Sequence, residues 1–367
     1  MNQEITRRNT LKLLASAGAA AMVPTLAGAA AGADLRERLR SLYRRSIVID
    51  SLSFAHEWDD EEFAALDATG YTGIVNSLPQ SNLQVAIDAL VEWRKRVREQ
   101  PDRFLMAQSA ADFERAKEDG KLAVLMNFQN ATMLEGDADN VEVLHALGMR
   151  CFQLTYNERN RLGDGSTERT NAGLSDFGIE VVGRMNETGV LVDLSHSGRQ
   201  TTLDGIEFSS KPVAFTHTMC ESLRPGHPRA KTDEQIRKLA DKGGVIGIAA
   251  IGYFIGPDPG GATTIDTYVD HVEHAINLAG IDHVGLSTDF PIRGIASWAT
   301  KEDWYEPRLK WFKPSYDVKW PSWIPELDQP DRFLQVTYRL NQRGYSDDAI
   351  EKLLGRNWLN LFRETIG

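Results

Sequence analysis

The stretch Val190-Leu191-Val192-Asp193-Leu194-Ser195-His196 decides the fold of this chain, together with Pro212-Val213-Ala214-Phe215-Thr216-His217 further along. Both runs are short, apolar and rich in β-branched residues, and each ends on a histidine. Roughly twenty residues of helical pattern separate the two histidines, a spacing typical of a βαβ unit. Parallel neighbouring strands end at the same edge of a sheet, so the two imidazoles are expected to meet there.

The same alternation of strand and helix patterns runs through most of the chain. Helical patterns cover residues 83–98, 110–118, 176–187, 233–242 and 265–278. Candidate strands cover residues 47–50, 73–77, 123–128, 151–156, 190–195, 213–216, 245–250 and 284–288, and a run at 104–108 is expected to be an outer strand or a loop. Eight apolar strands with helices between them predict an α/β fold of the (β/α)8 TIM-barrel type. A doubly wound open sheet is the alternative, and the lack of a Gly-rich phosphate loop after the first strand weakens it.

A Trp- and Pro-rich segment, residues 291–325, follows the last predicted strand and breaks the alternation. It carries five of the eight tryptophans, Trp298, Trp304, Trp311, Trp320 and Trp323. A long irregular insertion at a barrel mouth often serves as a lid or an interface. Packing of the insertion against its own barrel is an equally good interpretation.

The first residues resemble a targeting signal. Thr6-Arg7-Arg8-Asn9-Thr10-Leu11-Lys12 has the twin-arginine arrangement, and a mild Ala/Gly/Leu stretch with small residues follows it. We therefore predict a twin-arginine signal peptide over residues 1–33, a single domain over 34–367, and a periplasmic or secreted protein. The alternative is a chance arginine pair before a buried helix. A stable membrane anchor is not expected, since Ala and Gly make the stretch only weakly apolar.

Composition limits the partners. The formal net charge of −11 argues against nucleic acid or an anionic membrane as a partner. Two cysteines, Cys151 and Cys220, do not make a disulfide framework. A homodimer is an option that the sequence leaves open.

Polar residues occupy the predicted carboxyl ends of the strands, which converge on one pocket in a barrel. They are Asp50, Asn76, Gln129, Tyr156, Asn157, His196, His217, Tyr253 and Asp289. Two histidines on consecutive strands and a carboxylate on another are typical ligands of a divalent metal. His271 and His274, three residues apart beside acidic residues, are expected on the solvated face of a helix.

Several motifs, in order, are similar to the signatures of the membrane (renal) dipeptidase family. They are Leu191-Val192-Asp193-Leu194-Ser195-His196, Ala214-Phe215-Thr216-His217, His227-Pro228-Arg229 and His283-Val284-Gly285-Leu286-Ser287-Thr288-Asp289-Phe290. The resemblance runs from about Ser46 to Leu354-Gly355-Arg356-Asn357-Trp358. It implies an amidohydrolase-like metal-dependent TIM barrel with two zinc ions, a bridging hydroxide and hydrolysis of a dipeptide.

The resemblance also implies roles for individual residues. His196 and His217 match the ligands of the second metal. Asp289 matches the aspartate that binds the first metal and handles the proton of the attacking water. Arg229 matches the arginine that holds the substrate carboxylate, a task suited to a planar guanidinium.

This sequence departs from the family at three places. The family's first strand ends Asp-Gly-His-x-Asp, whereas this chain has Asp50-Ser51-Leu52-Ser53-Phe54 and lacks both ligands. Gln129 stands at the position of the family's bridging glutamate, and a neutral amide is a weaker metal ligand than a carboxylate. Tyr156, next to Asn157, stands where the family has a substrate-binding histidine, and we expect both residues to contact the substrate.

Charge counting favours one zinc ion over two or none, because Asp289 alone remains of three family carboxylates. We expect His196 and His217 to bind it with Asp289 or Gln129 and water, and Asp289 to act as the general base. The sequence therefore predicts an exported dipeptidase-like metallohydrolase of a small amide that carries a carboxylate. The alternatives are a lyase or isomerase on the same scaffold, and a non-hydrolytic binding or maturation protein.

Overall fold

A computed structural model of the protein describes residues 26–55 and 57–367, and its strands form one parallel sheet. The strands are β1 Ile49–Phe54, β2 Gly73–Leu78, β3 Phe104–Met106, β4 Leu122–Phe128, β5 Met149–Gln153, β6 Leu191–Asp193, β7 Ala214–Cys220, β8 Ala230–Lys231, β9 Val245–Ile248, β10 Val284–Leu286 and β11 Phe290–Pro291. Their order in the sheet is β10-β9-β7-β6-β5-β4-β2-β1-β11, and in addition β3 pairs with β4 and β8 pairs with β7.

The sheet closes through its broken last strand. β10 pairs with β9, and β11 pairs with β1 through Ser53 and Phe290. Between them, Ala250 N donates to Thr288 O at 3.0 Å and Asp289 N donates to Leu52 O at 3.0 Å. The eight predicted strands are thus β1, β2, β4, β5, β6, β7, β9 and the pair β10/β11, and the predicted (β/α)8 barrel is confirmed.

The strand bounds differ from the predicted ranges by several residues, and two of these differences bear on the site. β5 ends at Gln153, so Tyr156 lies on the loop after the strand. β7 runs on to Cys220, because β8 pairs with its last residues through Met219 and Ala230. The expected outer strand is present as β3, which pairs with β4 outside the barrel.

Helices surround the sheet and follow most of the strands. They are α1 Leu26–Arg45, α2 Asp60–Thr69, α3 Leu83–Glu99, α4 Ala110–Asp119, α5 Asn140–Ala146, α6 Asp176–Thr188, α7 Arg199–Phe208, α8 Asp233–Asp241, α9 Gly252–Ile255, α10 Ile265–Ala279, α11 Glu306–Trp311, α12 Arg332–Gln342, α13 Asp347–Glu351 and α14 Asn357–Thr365. Local signals set their starts: Thr232, for example, caps α8 in a capping box with Gln235.

The predicted signal peptide lies mostly outside the described residues, which begin at Leu26, and α1 includes its last part. Among the helices of the described ranges, none is both long and apolar enough to cross a bilayer. Cys151 and Cys220 are buried and free. His271 is fully buried and accepts from Cys220 N at 3.1 Å, so its expected place on a solvated face is wrong.

The amino end of the barrel is filled by a tryptophan. Trp358 of α14 is fully buried, and Asn357 beside it donates to Val284 O at the start of β10, at 2.7 Å. Two strand glycines make room for the indole. A Cβ on Gly285 would lie 2.2 Å from Trp358 Nε1, and a Cβ on Gly247 would lie 2.2 Å from Thr216 O.

The insertion after β11 folds over the opposite, carboxyl end. The buried carboxylate of Asp328 accepts hydrogen bonds from Ile295 N at 2.6 Å and Ala296 N at 2.9 Å. His227 Nε2 lies 3.0 Å from Tyr316 O and joins the far part of the insertion to the barrel loops. The insertion therefore packs on its own barrel and also covers the barrel mouth.

Candidate functional site

His196 and His217 meet at the carboxyl end of the barrel, as the strand spacing predicts. Their Nε2 atoms lie 3.0 Å apart, and both side chains are buried. A zinc ion about 2.0–2.1 Å from each nitrogen, with tetrahedral angles, would separate the nitrogens by about 3.3 Å. The observed separation is within a few tenths of an ångström of that value. The pair is therefore shaped to share one cation.

Neighbouring groups fix which nitrogen of each ring carries the proton. His196 Nδ1 lies 2.9 Å from Asn157 Oδ1, an acceptor, so Nδ1–H is the donor. His217 Nδ1 lies 2.8 Å from Thr216 Oγ1, whose own proton goes to Asp193 Oδ2 at 2.5 Å. Both Nε2 atoms are then left with lone pairs that face each other. Such a pair of acceptors is satisfied by a shared cation, and this arrangement of Nδ1 partners is typical of metal-binding histidines.

Electrostatics keep both imidazoles neutral. Burial, then Arg229, holds the pKa of both rings well below the usual range, and Lys231 contributes in the same direction. A neutral imidazole is the form that binds metal. The buried guanidinium of Arg229 behind the histidines also raises the cost of placing a high positive charge there.

A small cavity of about 170 Å³ opens beside His196. It is smaller than the roughly 300–1,000 Å³ of sites for drug-sized ligands. Its lining combines polar groups of the barrel with aromatic rings of the insertion: Phe54, Gln129, Tyr156, His196, Ile251, Tyr253, Phe254, Asp289, Pro291, Ile295, Trp298, Trp304, Arg308, Phe312 and Tyr316. The arrangement suits a small, partly apolar molecule.

Asp289 faces this cavity from the break in the last strand. Its φ of 60° is in the left-handed region, which non-glycine residues adopt at a cost and which aspartate tolerates better than most. Burial raises the pKa of its carboxyl to about 7, while Arg229 and Arg308 oppose that shift. Near neutral pH the group can therefore both accept and release a proton.

The other predicted ligands and contacts lie around the same cavity with different partners. Gln129 donates to Ser77 Oγ at 2.9 Å, and its Oε1 accepts from Gln153 at 3.4 Å. Tyr156 stacks on His196, with ring centroids 3.9 Å apart and planes at 18°. Asn157 is 6% exposed and orients His196 through Oδ1, so the structure gives it a positioning contact.

Arg229 lies behind the histidines. Its side chain is fully buried, and its two terminal nitrogens donate to Ser195 O at 2.6 Å and His217 O at 2.9 Å. These bonds hold the ends of β6 and β7 together. The predicted contact of Arg229 with a substrate carboxylate stays a prediction.

The positions of the family's first metal site do not fit a metal. Leu52 is fully buried hydrocarbon, and Phe54 places a ring on the cavity wall. Within residues 26–55 and 57–367, no group of three or more His, Cys, Asp or Glu side chains could hold a metal ion. The side chains present therefore offer two imidazoles for one ion, with Asp289 and Gln129 on the same cavity.

Two pairs of residues at the site were not predicted from the sequence. Asp193 and Thr216 support His217 from strand positions, and their signal is a polar residue inside an otherwise apolar strand. Arg308 and Tyr316 belong to the insertion, which has no periodic pattern that could place their side chains. Arg308 reaches the cavity only because α11 folds back over the barrel mouth.

The profile of the membrane dipeptidase family, peptidase family M19, matches residues 71–303. The chain belongs to this family. It is 31% identical over 265 residues to dipeptidase tcpJ of Claviceps purpurea, a match that covers 72% of this chain and 56% of that protein. The chain thus spans little more than half the length of this curated relative.

Solved structures agree on the fold. An amidohydrolase from Pseudomonas aeruginosa is 30% identical with a TM-score of 0.79, over 89% of this chain and 98% of that one. A metallopeptidase from Rhodobacter sphaeroides, liganded with a phosphinate mimic of L-Ala-D-Ala, is 18% identical with a TM-score of 0.71, over 87% and 99%. The family resemblance in the sequence motifs is confirmed by the family profile and by the curated relative.

Proposed function

We propose that this protein is an exported, metal-dependent hydrolase of a small amide, dipeptidase-like, with one zinc ion in place of two. The observation that carries the proposal is the pair of lone-pair-bearing Nε2 atoms, 3.0 Å apart, on His196 and His217. Membership of a dipeptidase family supports the reaction class. The twin-arginine pattern of Arg7-Arg8 supports export.

One metal ion is favoured over two by the donor set. Leu52 and Phe54 supply no ligand atoms, and Gln129 brings no charge to a bridging position. The guanidinium of Arg229 lies close enough to lower the pKa of both histidines. A second dication in this environment would lack compensating carboxylates.

The chain's own residues would divide the work as follows. His196 and His217 would hold the metal, with Asp289 or Gln129 and water completing its ligands. Bound zinc would lower the pKa of a coordinated water towards 7 and polarise the amide carbonyl. Asp289, whose carboxyl faces the same cavity, would take the proton of that water and pass it to the departing amine. Tyr156 would keep the His196 ring in place by stacking.

The substrate would be a small molecule with a carboxylate. The cavity volume excludes long peptides, and its wall of aromatic rings suits an apolar side chain. The Rhodobacter sphaeroides relative is liganded with a phosphinate mimic of the dipeptide L-Ala-D-Ala. Dipeptides are therefore the first substrates to test.

The test combines metal binding with turnover. Metal-free protein titrated with Zn²⁺ should bind one ion per chain, and His217→Ala should abolish this binding. His274→Ala is the matched control, because His274 is a surface histidine that pairs with Asp233.

A dipeptide panel should be hydrolysed by the zinc-loaded protein and not after chelation. Two ions per chain would contradict the single-metal site, and turnover that survives both chelation and His217→Ala would contradict the metal-dependent reaction.

A lyase or isomerase is the second candidate, favoured by the incomplete ligand cluster around the two histidines. In that case Asp289 would move a proton between two atoms of the substrate without consuming water. Turnover in ¹⁸O-labelled water separates the two reactions. Hydrolysis incorporates the label into the product, and isomerisation or elimination does not.

A further inference from the structure

The break in the last strand is held by a carboxylate of the first strand. Asp50 of β1 is fully buried and does not line the cavity. Its Oδ1 accepts from Thr288 N at 3.0 Å and from Leu52 N at 3.3 Å, and its Oδ2 accepts from Thr288 Oγ1 at 2.6 Å. One carboxylate therefore binds both the backbone and the side chain of the residue that precedes Asp289.

The same set of hydrogen bonds occurs behind the histidine pair. Asp193 Oδ1 accepts from Thr216 N at 3.1 Å and from Ser195 N at 2.9 Å, and Asp193 Oδ2 accepts from Thr216 Oγ1 at 2.5 Å. In both places an aspartate binds the N–H two residues further along its own chain segment and a threonine of the adjacent strand. In both places the residue after the threonine, His217 or Asp289, belongs to the proposed site.

The hydrogen bonds around Asp50 surround a strained backbone position. Asp289 has a φ of 60°, and its N–H donates to Leu52 O at 3.0 Å. Phe290 N, directly after it, donates to Thr288 Oγ1 at 3.0 Å. The Thr288 hydroxyl thus donates to Asp50 and accepts from Phe290, so it joins the residues on either side of Asp289. A sparsely populated φ persists only where the surrounding structure fixes it.

A buried carboxylate is a costly group with which to close a sheet. Burial raises the pKa of Asp50 to about 6, and the hydrogen bonds from Thr288 oppose this shift. At neutral pH the group is ionised, so its hydrogen bonds are of the stronger, charge-assisted kind. They act beside the strained Asp289, whereas ordinary backbone pairing joins β1 to β2.

We propose that Asp50 is a positioning residue of the active site: through Thr288 it holds Asp289 in the left-handed conformation that turns its carboxyl towards the cavity. The inference rests on the proposed function in one respect, that Asp289 is the general base. Asp50 and Thr288 then support the base in the way that Asp193 and Thr216 support a metal-binding histidine.

The test separates turnover from substrate binding. Thr288→Val keeps the size of the side chain and removes the hydroxyl that joins Asp50 to Phe290. In zinc-loaded protein acting on a dipeptide, kcat should fall about 10- to 100-fold, since a small misplacement of a reacting group costs this much. KM should stay within about threefold, because Thr288 does not line the cavity. Thr288→Ser restores the hydroxyl and should recover most of the lost kcat.

Thr365→Val is the matched control. Thr365 is also a buried threonine, and its Oγ1 donates to Leu361 O at 2.7 Å within α14. Its kcat should stay within about twofold of wild type, because the lost hydrogen bond is distant from the site. Asp50→Asn keeps the shape of the side chain, so it is the second variant if Thr288→Val does not fold. It should likewise lower kcat with little change in KM.

A crystal structure of metal-free Thr288→Val gives a measurement that needs no activity. Asp289 should leave the left-handed region, or its carboxyl should turn away from the cavity. An unchanged Asp289 in that structure would overturn the proposal, as would wild-type kcat, a loss explained by KM, or equal losses in Thr288→Val and Thr288→Ser. If wild-type protein hydrolyses no amide, the proposed function fails, and the crystal structure decides the role of Asp50.

Discussion

At the scale of single residues, the geometry of the proposed metal site depends on the carboxylate of Asp193, which does not line the cavity. Asp193 is fully buried in β6 and accepts from Thr216 Oγ1 at 2.5 Å and Ser195 Oγ at 2.6 Å. Thr216 is thereby committed as an acceptor for His217 Nδ1. Two hydrogen bonds, from Thr216 to Asp193 and from His217 Nδ1 to Thr216, thus set which nitrogen of His217 carries the proton.

Replacing Thr216 with valine tests this chain of bonds. Thr216→Val should destabilise the fold by about 1–3 kcal/mol, because Asp193 loses a buried partner. It should also weaken Zn²⁺ binding about 10- to 100-fold, since nothing orients His217 Nδ1. Urea unfolding and zinc titration measure the two effects.

Thr337→Val is the control for this substitution. Thr337 is also fully buried and loses one hydrogen bond, from its Oγ1 to Phe333 O within α12. Stability should fall, and zinc affinity should stay within about twofold, because the site lies elsewhere. If both variants lost zinc affinity equally, the support by Thr216 would be excluded.

At the scale of elements, the insertion is fastened at its beginning by one carboxylate. The carboxylate of Asp328 accepts hydrogen bonds from Ile295 N and Ala296 N, and burial raises the pKa of its side chain. The aromatic residues that the insertion contributes to the cavity wall follow this point in the chain: Trp298, Trp304, Phe312 and Tyr316. Their positions therefore depend on an anchor that touches none of the proposed ligands.

Asp328→Ala should release the insertion while the barrel stays folded. Ile295 N and Ala296 N would lose their acceptor, at a cost of about 1–3 kcal/mol for the buried Ile295 N–H. Hydrogen exchange should accelerate over residues 292–325 and stay slow in β4 and β7. Glu326→Ala, the removal of an exposed carboxylate two residues away, should change neither. Unchanged exchange in Asp328→Ala would show that the aromatic packing alone holds the insertion.

The sequence predicted the barrel strands correctly, but it could not predict side-chain positions in residues 291–325, where the apolar residues follow no regular period. Apolar runs placed all eight barrel strands, and the spacing of two runs placed His196 beside His217. The end of β7 was set too early, since its extension depends on pairing with β8, which is distant in sequence. Arg308 could not be predicted, because no pattern in residues 291–325 fixes which side chains turn inwards.

At the scale of the whole molecule, the barrel is stabilised where Trp358 fills its amino end. The packing requires glycine in the facing strands, and Gly247 leaves no room for a Cβ between Thr216 O and Ser51 Oγ. Close-packed interiors relax poorly around an added methyl group. This floor lies at the opposite end of the barrel from the cavity.

Two glycine-to-alanine substitutions should therefore shift stability in opposite directions. Gly247→Ala should destabilise the protein by about 1–3 kcal/mol or more through overpacking against backbone. Gly183→Ala should stabilise it by about 0.5–1 kcal/mol, because Gly183 lies inside α6 with open space around it. Thermal and urea unfolding measure both. A neutral Gly247→Ala would mean that the barrel floor is loosely packed.

Asp289 takes part both in closing the barrel and in lining the cavity. Its peptide N–H links the eighth strand to the first through Leu52 O, and its carboxyl faces the cavity. A substitution that changes the pKa of the side chain at this position would therefore also disturb the hydrogen bonding that closes the barrel between its last and first strands. Laboratory evolution of a new activity in this scaffold should leave Asp289 alone and vary the surrounding rings instead.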